Sequence, residues 1–126
     1  MFEVSSRSTA LALAAVGCGV LFGACQPKCL TADTVSVVDS KRDVFLVYRV
    51  TGLQEKVGFF EAYRGKPTFD QCGKSSAKYL DMQPYEPSEG LLKAVELSGD
   101  HLKVVYTPDR SEARQPDAAR LVIRSP

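Results

Sequence analysis

The side chains able to do chemistry are few and scattered. His101 is the only histidine, and it follows Gly99-Asp100, a turn-forming pair. Its neighbour Asp100 would project from the opposite side of a strand, so the two make no acid–base dyad. Cys72 is the one cysteine in a polar setting, Asp70-Gln71-Cys72-Gly73-Lys74, with no adjacent base to activate it as a nucleophile. Asp33, Asp39, Asp43, Asp70 and Asp81 fall in no DxD cluster or calcium-loop spacing. Gly58, Gly65 and Gly73 do not make a phosphate loop, and Ser75 and Ser76 stand outside any GxSxG context. Thiols with one distant histidine make a poor zinc set. The expectation is a protein that is not an enzyme and has no cofactor and no metal.

A chain of 126 residues, 44% hydrophobic and 25% charged, has the composition of one globular domain. Its formal net charge of +1 creates no strong field for nucleic acid or an anionic surface, so both are demoted and no nucleic-acid partner is expected.

The N-terminal stretch says more. Met1 to Ser8 carries Glu3 and Arg7, and Thr9 to Ala24 is uncharged and rich in Ala, Leu and Val. That pattern fits the apolar region of an export signal followed by small residues at a cleavage site. The tract is shorter than the roughly 20 apolar residues a membrane span requires, and Gly17, Gly19 and Gly23 weaken it as a helix; a retained anchor is the alternative. Leu21-Phe22-Gly23-Ala24-Cys25 resembles the lipobox of bacterial lipoproteins, with Phe22 where Leu is commonest. Ala15-Val16-Gly17-Cys18 is a second candidate, but it would leave a very short apolar region. The resemblance implies that Cys25 receives a diacylglycerol and its amino group a further acyl chain such as palmitate. Residues 1–24 would then be a signal peptide and 25–126 a lipid-anchored domain on a bacterial membrane. Gln26, rather than the Asp that often signals inner-membrane retention, points to the periplasmic face of the outer membrane. With Cys25 lipidated and Cys18 removed, Cys29 and Cys72 remain in an oxidising compartment, and a disulfide between them is the simplest assignment. It would close a loop of about 44 residues, worth about 4 kcal/mol by chain entropy.

The mature chain reads as short strands. Thr34 to Asp39 alternates, and Ser40-Lys41-Arg42 reads as a polar turn. Asp43 to Thr51 is the clearest strand, with Val44, Leu46, Tyr48 and Val50 on one face and a mixed second face carrying Phe45 and Val47. Lys56 to Arg64 and Thr68 to Cys72 follow as strands across a Gly65-Lys66-Pro67 turn, and Lys78 to Met82 is a short fifth. Leu91 to Tyr106 is a hairpin about Gly99-Asp100, a type II′ pair that sets Leu97 opposite Leu102, Val95 opposite Val104 and Glu96 opposite Lys103. Pro108 to Arg120 lacks an apolar stripe and reads as a flexible loop, with Leu121 to Ile123 a last strand. Seven or eight such strands predict an all-β fold, a small antiparallel β-sandwich of immunoglobulin-like or related type, with a small β-barrel as alternative.

Phe59, Phe60, Tyr63 and Phe69 lie in one predicted hairpin; most of these aromatic residues are expected in the core, Phe59 and Phe60 foremost. Tyr85, in a proline-rich loop, is expected to be the most exposed aromatic residue. Ser75-Ser76-Ala77-Lys78-Tyr79 resembles a short Ser-Gly-x-x-Tyr motif of bacterial lipoproteins that inhibit lysozyme, with Ser76 in place of the glycine. Ser75, Ser76, Lys78, Tyr79 and Tyr85 are therefore the candidate interaction surface. The expected function is a non-catalytic protein-interaction module held near the membrane by its lipid. The alternative is an inhibitor of a cell-wall hydrolase.

Overall fold

A computed structural model describes residues 34–52 and 54–125. The signal segment, Cys18, Cys25 and Cys29 lie outside the described residues. Seven strands form two sheets: β1 (Thr34–Lys41), β2 (Val44–Thr51), β3 (Val57–Arg64), β4 (Lys78–Pro84), β5 (Leu91–Ser98), β6 (His101–Thr107) and β7 (Leu121–Arg124). The first sheet has the order β1-β2-β3-β4 and the second β6-β5-β7. The two sheets do not close into a barrel. The chain completes one sheet before starting the other, so this is a sandwich of sequential rather than interleaved, immunoglobulin-type connectivity.

Alternation decides what is buried. Val44 and Leu46 of β2 and Phe60 and Ala62 of β3 face Leu92, Val95, Leu97, Leu102 and Leu121 of the second sheet, all buried. Each of the fully buried Leu and Phe side chains contributes about 2 kcal/mol of transfer free energy. Gly58 lets the Tyr48 ring close down on the backbone, since a Cβ there would lie 2.4 Å from the Tyr48 hydroxyl oxygen.

The β5–β6 hairpin has the expected register: Leu97 with Leu102, Val95 with Val104 and Glu96 with Lys103. Gly99 takes φ 61°, as the first position of a type II′ turn requires. Glu96 makes its close ion pair with Arg124 of β7, at 2.6 Å, rather than with Lys103. The pairing of β7 with β5 is parallel, a departure from an all-antiparallel sandwich.

Three expectations are corrected. The first turn is Arg42-Asp43, not Ser40-Lys41-Arg42: Lys41 still pairs with Val44, and both turn residues take positive φ, 51° and 61°, as a type I′ turn demands. Neither is the preferred residue there. Replacing Arg42-Asp43 by Asn-Gly is expected to raise stability by about 0.5–1 kcal/mol, measured by urea unfolding; a loss would mean that the two side chains matter more than the backbone.

Thr68 to Cys72 is not a strand. The Asp70 carboxylate accepts the backbone N–H groups of Cys72 and Lys74, at 2.8 and 2.9 Å, and so turns the chain locally; only Phe69 and Ser75 form an isolated bridge. The segment 108–120 is also more defined than expected. The Arg114 N–H donates to the Leu92 carbonyl at 2.8 Å, Ala119 is buried, and Pro116–Ala118 forms a 3-10 turn. This segment spans only the start of β5, because β7 begins beside Val95.

Both edge strands of the first sheet carry a β-bulge with the same local sequence, an apolar residue followed by aspartate. Pairing slips between Val37 and Asp39, and again opposite Ala62 and Tyr63, leaving Val38 and Leu80 as the extra residues. Both pack against the core. Each bulge re-aims the next side chain across the sandwich. Asp39 accepts the Leu121 N–H of β7 at 2.9 Å, and Asp81 accepts the Leu102 N–H of β6 at 2.7 Å. The N–H groups that β6 and β7 would otherwise leave unpaired at the two edges of the second sheet are thus satisfied.

Candidate interaction surface

The sheet face turned away from the core is formed by the odd-numbered residues of β2 and β3. On it Val47, Glu61 and Tyr63 are nevertheless buried. The segment 65–77 folds onto this side. Its Phe69 ring lies under the Arg49 guanidinium, 4.9 Å from centroid to charge, and edge-on to Tyr63 with centroids 5.7 Å apart. Arg49 Nη2 donates to the Gly73 carbonyl at 2.8 Å, and Arg49 Nε stands 3.4 Å from Glu61 Oε1. The Tyr63 hydroxyl donates to the other Glu61 oxygen. Burial, reinforced by the hydrogen bond and charge of Glu61, raises the Tyr63 hydroxyl far above its ordinary pKa. Glu61 and Tyr63 could resemble an acid–base pair, but both are closed off from solvent. Chemically the group acts as a latch that holds 65–77 on the sheet.

The sequence-expected residues divide between two places. The Ser75 hydroxyl accepts the Ala77 N–H at 3.0 Å. The Ser76 hydroxyl accepts the Thr68 N–H at 3.0 Å and shares a 2.7 Å hydrogen bond with the Thr68 hydroxyl. Lys78 and Tyr79 open β4 and are exposed, with Tyr79 53% accessible and edge-on to Tyr63. These four residues lie together beside the latch. Tyr85 does not join them, and it is not the most exposed aromatic residue. It is half-buried against the core, edge-on to Tyr48 and Phe60 and stacked with Tyr106. Its N–H donates to the Gly58 carbonyl at 2.8 Å, which keeps it on the sheet beyond Pro84.

Sequence reasoning missed the apolar character of the outer face. Val37, Val57, Tyr79 and Met82 are exposed, and alternation places all four there. The signal was available in the odd positions of the strands, but only correct bulge placement reveals it. Cys72 is disulfide-bonded, and every other cysteine of the chain lies outside the described residues. Among the described residues no His, Cys, Asp and Glu side chains gather into a group that could hold a metal. Likewise, no helix among them is long and apolar enough to cross a membrane. Compared with known proteins, the chain matches no family model, no curated protein and no solved structure.

Proposed function

We propose that the chain is a lipid-anchored bacterial envelope protein whose β-sandwich is a non-catalytic interaction module held close to the membrane. In this reading residues 1–24 are removed and Cys25 carries the lipid. Cys29 pairs with Cys72, and the domain stands on the periplasmic face of the outer membrane.

The observation that carries the reading is the position of disulfide-bonded Cys72. The next residue, Gly73, is hydrogen-bonded to Arg49, and Arg49 pairs with Val35 at the beginning of β1. Cys29 precedes Thr34 by five residues, a reach of about 17 Å when extended. A Cys29–Cys72 link therefore needs no rearrangement of the sandwich and leaves Cys25 free for acylation. Cys25 to Cys29 spans at most about 14 Å, which would keep the outer face of the first sheet close to the lipid. Lys78, Tyr79 and Met82 then offer a partly apolar contact surface near the membrane.

Intact-mass measurement on protein from native membranes is the test. The expected chain begins at Cys25 and carries acyl mass, both lost in Cys25→Ala; a mature chain that begins elsewhere overturns the proposal. The hydrolase-inhibitor reading has less support, because the hydroxyl of Ser75, the serine of the motif, is engaged with the Ala77 N–H, and Ser76 replaces the motif's glycine. Slowing of lysozyme by the purified chain would favour it instead.

A further inference from the structure

A third bulge has a different use. In β5 the register slips between Leu92 and Ala94, leaving Lys93 as the extra residue. Lys93 lines a cleft of about 410 Å³ together with Lys41, Arg114, Arg120, Ser111 and Glu112. Four cations thus line the cleft with one lining carboxylate, Glu112, and with Asp109 close enough to interact with Lys93. They arrive from three separated parts of the chain, and backbone contacts fix two of them. The Arg114 N–H is bonded to the Leu92 carbonyl, and the Arg120 carbonyl accepts the Val95 N–H at 3.1 Å, so the two arginines flank the Lys93 bulge. Glu112 pairs with Lys93 at 3.0 Å, in a position about half exposed where such a pair holds weakly. Convergence of like charges without equal counter-charge works against folding unless an anion offsets it.

We propose that this cleft binds a phosphate-bearing anion. Arg114 and Arg120 supply paired N–H donors, Lys41 and Lys93 supply point charges, and the Ser111 hydroxyl is a further donor on the rim. The Ser111 loop is already shaped, since Asp109 accepts both its N–H and its hydroxyl, at 2.9 and 2.8 Å. A ligand phosphate would compete for that hydroxyl and displace Lys93 from Glu112. The site lies apart from the latch and from Tyr79, and it stands whether or not Cys25 is acylated.

The test uses the full chain with Cys25→Ser, so that no acyl chain contributes to binding. Two probes separate the sources of phosphate: inorganic pyrophosphate by calorimetry, and co-sedimentation with vesicles of phosphatidylglycerol against phosphatidylcholine alone. Saturable pyrophosphate binding identifies a small soluble anion; vesicle binding that requires phosphatidylglycerol identifies a lipid headgroup. In either case the proposal requires that Arg114→Gln with Arg120→Gln weaken binding by about ten-fold or more. Glu112→Gln should strengthen it, an outcome that misfolding cannot mimic. No binding to either probe, or binding that the arginine variant retains, overturns the proposal. Unchanged thermal melting of both variants completes the comparison.

Discussion

Glu61→Ala is expected to destabilise the domain by about 3–5 kcal/mol in urea unfolding, the range for breaking a buried ion pair from one side. The variant removes the Glu61 carboxylate from beside the Arg49 guanidinium and the acceptor from the Tyr63 hydroxyl, in a region with little access to solvent. Replacing Glu61 and Arg49 together by apolar residues should recover much of that loss, because no charge is then stranded. A loss below about 1 kcal/mol for Glu61→Ala would show that the latch carries little of the stability. The same cluster sets an alkaline limit. Since the Tyr63 hydroxyl is raised above its ordinary value of 10.0, the folded form holds its proton more tightly than the unfolded chain does. Its contribution is fully present below pH 10 and declines as pH rises beyond it. Tyr63→Phe should flatten that decline.

The second large effect belongs to the paired aspartates. Asp39→Ala combined with Asp81→Ala is expected to cost about 2–5 kcal/mol, because each change orphans a backbone N–H whose bond to a carboxylate is charge-assisted. The two sit on opposite edge strands, so the single losses should add. The Asn variants keep an acceptor and should lose less. The double Ala variant should also self-associate, read as concentration-dependent light scattering, since unpaired edges of β6 and β7 are exposed to other chains. A monomeric variant with near-native unfolding would refute this role for Asp39 and Asp81.

The residues explain why some of this could be read in advance. In the β5–β6 hairpin, turn chemistry, alternation and charge all point to one register, and the fold has it. Asp39 and Asp81 defeat the same reasoning. Strict alternation sends adjacent residues to opposite faces, whereas at Val38-Asp39 and Leu80-Asp81 a bulge turns both toward the second sheet. At Thr68 to Cys72 a strand-like pattern yields to one side chain, Asp70, competing for backbone N–H groups. Tyr85 looks exposed because prolines surround it, but the bond to Gly58 and the rings of Tyr48, Phe60 and Tyr106 hold it in. The basic cleft has no local signature at all, since Lys41, Lys93, Arg114 and Arg120 meet only through folding.

The sequential order of the two sheets has a mechanical meaning. Residues 34–84 complete one hydrogen-bonded network and 91–124 the other, joined along the chain through 85–90. Among the described residues no backbone-to-backbone hydrogen bond crosses between them. The bridging bonds use side chains, those of Asp39 and Asp81, while the Tyr106 hydroxyl accepts the Glu86 N–H of the connecting segment. The sandwich therefore contains a shear plane, along which one sheet can slide on the other without breaking a ladder. Resistance to such sliding rests on the apolar interface and on the two aspartates, set like rivets at its opposite margins.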